Sequence, residues 1–264
     1  MSHIEPNWLS ALLVAVFGLA AGSFLNVVIY RLPRKKSLVR PRSSCPSCGQ
    51  AIRWYLNVPL VSFLVLRGRC QSCGARISVR YPLVEAGTAA LFVLFFWRYG
   101  VSMTTVGFWF LSAALVVVFF IDLDCGIIPD AITLPGIVVG VAFAAVSQHL
   151  SVVTSLLGIL VGGGSFLALA WIGQALFRKD SMGGGDIKLA AMLGAFLGPL
   201  RVLLIFVFSA VIGLLVSAAV LFLSARFRRE RMLPFGPFLV AAALLVVFYG
   251  QTIINWYRIH FLTY

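Results

Sequence analysis

Three of the chain's 8 acidic residues, Asp122, Asp124 and Asp130, fall in the stretch Asp-Leu-Asp-Cys-Gly-Ile-Ile-Pro-Asp at 122–130. The apolar run Phe108–Ile121 leads into it and Ala131–Val146 leads out. Charge at membrane depth is costly, so a carboxylate where a membrane helix ends is either a polar terminus meeting water or a working group. One other carboxylate has a comparable setting: Asp186, in Met-Gly-Gly-Gly-Asp-Ile-Lys at 182–188. Asp122 and Asp186 are therefore expected to meet in space as a catalytic pair. Two neighbouring carboxylates do not both ionise easily. One keeps a proton, the other is a base, and a water between them is activated for attack on a peptide carbonyl. Glycines 183–185 would let backbone approach closely and leave room for an extended substrate. Each aspartate also has a structural reading. Asp186 suits the N-cap of a helix, and Asp122 suits a helix end meeting water. Asp130, after Pro129 and with Thr133 three residues on, reads as a cap. Asp124 is expected to face solvent.

A second constellation is Cys45-Pro-Ser-Cys48-Gly with Cys70-Gln-Ser-Cys73-Gly. Four thiolates fill a tetrahedral zinc shell, and a trailing glycine lets backbone amides turn toward the sulfurs. Two disulfides are the rival pairing, disfavoured if the loop is cytoplasmic. A shell of four cysteines leaves no open position, so zinc bound by Cys45, Cys48, Cys70 and Cys73 would be structural. Cys125 reads as a small loop residue. The three histidines, His3, His149 and His260, fall on the side opposite the aspartates, which argues against a Ser-His or Cys-His nucleophile. The triple glycine 183–185 lacks the Walker spacing of a phosphate loop. Gly162–Gly164 reads as a close helix-packing surface.

The elements that must position these groups are helices in a membrane. The composition is 61% hydrophobic and 11% charged, far from the roughly 25% charged of a soluble domain. Eight segments read as spans: 8–30, 82–97, 104–121, 130–146, 152–177, 186–197, 202–223 and 237–256. The first is expected to be retained and not cleaved as a signal peptide. The fold expected is an all-α polytopic membrane protein of about eight transmembrane helices with a small cytoplasmic zinc-binding loop domain. Its parts are the first helix at 1–30, the four-cysteine loop at 31–81, and helices two to eight at 82–264. The net charge of +13 lies in loops between apolar segments, which points to anionic lipid and excludes nucleic acid as partner. With the 31–81 loop inside, eleven Lys/Arg fall in that loop and seven more in 178–188 and 226–231. Arg98, Arg201 and Arg258 are left outside. This is a strong positive-inside bias. It places both termini outside and Asp122 and Asp186 at the inner boundary.

These residues resemble the type IV prepilin peptidases, bifunctional leader peptidases and N-methyltransferases of the GxGD aspartyl protease group. The matching stretches are Gly22–Pro33, both cysteine knuckles, Arg80–Glu85, Ile121–Asp124, Ile128–Asp130, Met182–Lys188 and Pro234–Pro237. The resemblance implies Asp122 and Asp186 as the catalytic aspartates, with Gly184 as the variable residue of the motif. It implies cleavage of the short basic leader of a prepilin or pseudopilin after a glycine, at the cytoplasmic face of the bacterial inner membrane. It further implies methylation of the new N-terminal residue with S-adenosylmethionine. For that second site the family implicates the large cytoplasmic loop, and Gly68, in Arg67-Gly-Arg-Cys70, matches its glycine-basic-cysteine pattern. Asn26, Arg31 and Glu85 are polar groups at inner helix ends and join Gly68 as candidates to bind S-adenosylmethionine. Glu85 also reads as a favourable charge in a first helical turn, and Asn26 as a helix-packing hydrogen bond. A proton-coupled transporter using the two aspartates is the alternative, but it expects acidic groups near the bilayer midplane. A methyltransferase without protease action is a second rival.

Overall fold

The computed structural model describes residues 7–147, 149–177, 183–223 and 234–261. Among these the chain is helical, apart from turns and two isolated antiparallel bridges, Ser44 with Ala51 and Arg69 with Arg76. Arg178, Lys179, Arg226, Arg228, Arg229 and Arg231, which carry part of the charge asymmetry, lie outside the described residues, as do His3 and Met182. The chain divides into two compact units, Met1–Val117 and Val118–Tyr264.

In the first unit, α1 (Trp8–Arg31) opens with a capping box. Asn7 Oδ1 accepts the Ser10 N–H at 2.8 Å, and Ser10 Oγ accepts the Asn7 N–H at 3.1 Å. This helix packs along α3 (Arg80–Tyr99). A Cβ on Gly18 or Gly22 would sit 2.6 Å from Ala89 Cα or 2.7 Å from Glu85 Cα, so small residues set the closeness of the pair. Between the two helices the loop carries a 3₁₀ turn (Trp54–Asn57) and the short α2 (Val61–Val65). The first part of α4 (Met103–Cys125) stacks Trp109 on Phe92, with ring centroids 5.0 Å apart. The Trp109 Nε1–H donates to the Phe92 carbonyl at 2.8 Å, so its one polar atom is satisfied within an apolar contact.

The second unit holds α5 (Asp130–Val146), α6 (Val152–Phe177), α7 (Gly184–Leu197), α8 (Pro199–Leu223) and α9 (Gly236–Phe261). Every residue of α7 from Leu189 to Leu197 is buried. Glycines on its neighbours make that possible. Gly158 of α6 meets Gly194, Gly162 meets the Ala190 carbonyl, and Gly136 of α5 meets Met192. Gly163 lies against Ala191, whereas Gly164 faces open space, so the packing surface expected over 162–164 covers only its first two residues. The break between α7 and α8 falls at Gly198. This residue adopts φ +82°, its amide returns to the Gly194 carbonyl at 2.8 Å, and Pro199 opens the next helix.

Five described helices, Trp8–Arg31, Met103–Cys125, Val152–Leu176, Pro199–Val220 and Gly236–Phe261, are long and apolar enough to cross a membrane, and Asp130–Val146 is a shorter apolar helix. At 14 residues α7 is about 21 Å long, short of a hydrocarbon core of about 30 Å. The eight segments are thus eight helices, but length and apolarity mark fewer of them as full spans. Helix α4 also runs past the expected end at Ile121 to Cys125, which puts Asp122 inside its last turn.

Candidate functional site

Asp122 is buried, at 5% exposure, although it lies one turn from the end of α4. Its Oδ2 accepts the backbone N–H of Gly236 at 2.9 Å. Gly236 is the first residue of α9, so one amide that the helix N-terminus leaves unpaired within the helix is taken up by this carboxylate. No side chain could replace that hydrogen there without cost, because a Cβ on Gly236 would stand 2.5 Å from the same oxygen.

Asp186 lies in the first turn of α7, three residues after the N-cap Gly183. It is therefore not the cap. Its carboxylate instead receives the Gly183 amide, the reciprocal half of a capping box. The same carboxyl lies within the field of the Asp122 charge. The structure thus brings together the last turn of α4, the first turn of α7 and the start of α9, around two aspartates 64 positions apart in sequence.

The glycines before Asp186 have separate jobs. A Cβ on Gly185 would lie 2.8 Å from Ile128 Cβ, whereas one on Gly184 would meet nothing within 4 Å. The Ile128-Pro129 turn thus packs directly on the backbone of α7, and the position between the two flanking glycines is open. We expect Gly185→Ala to lower the melting temperature, because its methyl must displace Ile128, with Gly184→Ala close to wild type. Melting curves of the two variants measure this; equal effects would contradict the packing argument.

Asp130 does not cap α5. The N-cap is Pro129, which makes no side-chain bond, and Asp130 is the first helical residue. Its carboxylate turns to Lys188, with Nζ 2.7 and 2.6 Å from its two oxygens. The reason is energetic: a bidentate charged partner outweighs a neutral bond to the nearby backbone. This pair ties the start of α5 to α7 beside Asp186. Asp124 is exposed.

In the first unit the four knuckle cysteines converge. All four sulfurs lie within 4.8 Å of one another, and Cys45 Sγ is 3.9 Å from Cys73 Sγ. Tetrahedral sulfurs at about 2.3 Å from a zinc ion are separated by about 3.8 Å, so the set fits the metal. None of the four is in a disulfide. Gly49 and Gly74, both at φ +70°, turn each knuckle. The backbone amides of Cys48 and Ser47 point at Cys45 and lower its thiol to about 6; those of Cys73 and Ser72 lower Cys70. Both effects favour the thiolate that a metal needs. Fresh, unchelated protein is expected to carry about one zinc per chain. Cys70→Ser should lose it together with much of the loop's stability, since binding energy here is also folding energy. Metal analysis of the two proteins, with melting curves, checks this.

Against the knuckles lies a cavity of about 620 Å³, lined by Asn26, Arg31, Glu85 and residues of the loop. Three of the four residues expected near the methyl donor thus share one cavity wall. Asn26 Nδ2 also donates to the Tyr81 carbonyl at 3.1 Å, joining α1 to the start of α3. The Arg31 guanidinium is engaged by the carbonyls of Ser37 and Pro41, at 2.9 and 2.7 Å, and so shapes the wall. Glu85 Oε2 accepts the Leu60 N–H at 2.8 Å. Gly68 does not line the cavity. It sits at φ +67° with the Phe63 ring 3.2 Å from where its Cβ would be, and Phe63 is a lining residue.

Sequence reasoning missed Gly236 as the partner of Asp122, Lys188 as the partner of Asp130, and Leu60 as the partner of Glu85. The first had a signal, since Pro-Phe-Gly-Pro at 234–237 reads as a helix start. The other two are contacts across long sequence separations with no local mark.

Residues 16–99 match the family described as Bacterial Peptidase A24 N-terminal domain, and residues 109–218 match the Type IV leader peptidase family. Among curated proteins, the chain is similar to the prepilin leader peptidase/N-methyltransferase of Neisseria gonorrhoeae, at 38% identity over 94% of each chain. The protein of that name from Pseudomonas putida is also 38% identical, over 95% of this chain and 94% of the relative. That from Myxococcus xanthus is 43% identical over 83% of this chain, which spans 65% of the relative's length. No solved structure matches.

Proposed function

The chain belongs to the type IV leader peptidase family, and from this we propose that it is a prepilin leader peptidase and N-methyltransferase. It removes the basic leader of a prepilin or pseudopilin after a glycine, at the cytoplasmic face of the bacterial inner membrane. It then methylates the new N-terminus. The observation that carries the first half is the meeting of Asp122 and Asp186 at helix ends, in a setting that buries one and holds each by a backbone amide. A substrate with a charged leader and an apolar helix presents its scissile bond at such a boundary. One carboxylate takes a proton from water, the other donates a hydrogen bond to the scissile carbonyl, and the proton then passes to the leaving amine. The Asp130–Lys188 pair and the Gly236 amide hold the two groups in register.

The second half rests on the cavity beside the knuckles. Its volume and mixed lining suit a nucleoside-sized molecule. S-adenosylmethionine, when bound, supplies an electrophilic methyl group to the amine. Asn26, Arg31 and Glu85 would form its wall, and Gly68 would hold Phe63 in place. Zinc at Cys45, Cys48, Cys70 and Cys73 would fix the opposite wall and take no part in the chemistry, its shell being full. Replacing Gly68 by valine should force φ away from +67° and drive Phe63 into the cavity. We expect methylation to fall by about 10-fold or more while cleavage persists; parallel loss of both would argue against separate sites.

Incubating the purified protein with a prepilin, with and without S-adenosylmethionine, tests the reading. Mass spectrometry should show the leader removed in both cases and a methyl group added only with the donor. An intact prepilin in both would overturn it.

A further inference from the structure

Glu85 is the acidic residue of the cavity wall, among arginines, and it is buried at 8% exposure. Among the described residues of the first unit it is the sole carboxylate. The Leu60 N–H fixes it, donating to Oε2 at 2.8 Å. This contact goes with an unusual backbone: Leu60 stands at φ +57°, ψ −47°, a conformation that L side chains rarely adopt. Strain of that kind persists only where surrounding contacts over-determine it. A fixed carboxylate on the wall of a cavity is complementary to a cationic hydrogen-bond donor.

We infer that Glu85 is the ammonium-binding group of this cavity. The inference rests on the proposal that the cavity serves methyl transfer, a reaction with two primary ammonium groups. One belongs to the amino-acid end of the methyl donor. The other is the new N-terminus of the cleaved pilin, which must be gripped and then give up a proton before its nitrogen can accept the methyl group. Glu85 takes one of these.

Glu85→Gln keeps an oxygen for the Leu60 amide and removes the charge. Its zinc content, compared with the parent, reports that the loop domain has folded. Binding of S-adenosylmethionine and S-adenosylhomocysteine, which both carry the amine, is measured by calorimetry on the full-length protein in detergent. Methylation of a cleaved-pilin peptide gives KM for the acceptor. A rise of about tenfold or more in Kd for both nucleosides supports the inference and assigns the donor's amine. Unchanged nucleoside binding with a similar rise in the peptide KM supports it and assigns the pilin's amine. If neither moves, the inference is overturned. Leu56→Trp, which fills the cavity from its wall, separates this from failure of the underlying reading. Intact nucleoside binding in that variant removes the methyl-transfer site from the cavity altogether. Loss of binding in Leu56→Trp with no change in Glu85→Gln removes only the role given to Glu85.

Discussion

Asp122→Asn and Asp186→Asn should each reduce prepilin cleavage by about 10³-fold or more, at the upper end of what acid–base groups contribute. An amide cannot exchange the proton that activates water, so neither residue can be replaced isosterically. Both variants should still fold. The asparagine side chain at position 122 keeps an oxygen for the Gly236 N–H, and the one at position 186 keeps an oxygen for the Gly183 amide. An amide is also easier to bury than a charge. Asp124→Asn is the control. Asp124 is exposed, two positions along the helix and so on another face, and its variant should keep most activity. Both single variants should still methylate a pilin that has already been cleaved. Substantial cleavage by either Asn variant, in folded protein, would remove the pair from the mechanism.

Gly236→Ala should cost about 100-fold in cleavage, though Gly236 contributes no side chain. The added methyl would stand 2.5 Å from Asp122 Oδ2, closer than real contacts allow, and a tight 3.0 Å from its carboxyl carbon. Something must shift, and both atoms crowded by that methyl belong to a buried, hydrogen-bonded group with little freedom. A displacement of about 1 Å at a reacting group is enough for about a 100-fold loss. The loss should appear in kcat with KM for the prepilin little changed, since binding of leader and helix is not the part disturbed. A Gly236→Ala enzyme with wild-type kcat would show that the contact between α9 and Asp122 does not position the carboxylate.

Much of this was legible before any coordinates. Long apolar runs with polar breaks mark the helices, and Gly198-Pro199 marks the break between α7 and α8 because glycine can adopt φ +82° and proline opens a helix. The two CxxC knuckles mark the four sulfurs that the fold brings within 4.8 Å of one another. What was hidden depends on the backbone. Gly236 acts through an amide that every residue but proline possesses; Pro-Phe-Gly-Pro marks a helix start, but not that the start lies beside Asp122. Asp130 shows the opposite case. Local pattern made it a cap, but a lysine 58 positions away competes better than the neighbouring backbone. Arg31, expected as a candidate to bind the methyl donor, turns its forked guanidinium onto two loop carbonyls, a contact that its position in the sequence does not mark. The end of α4 runs one turn further than the apolar pattern, since a helix continues while its hydrogen bonds can be made and does not stop where polarity changes.

Asp122 and Asp186 are expected to act as one unit on one water, with one member protonated and one ionised. The most direct measurement is the single-turnover rate of prepilin cleavage by the purified enzyme as a function of pH. A bell-shaped profile is predicted, falling on the acid side as the pair becomes doubly protonated and on the alkaline side as it loses its last proton. A rate that rises to a plateau and stays there would mean that a single base suffices, and would contradict the paired mechanism.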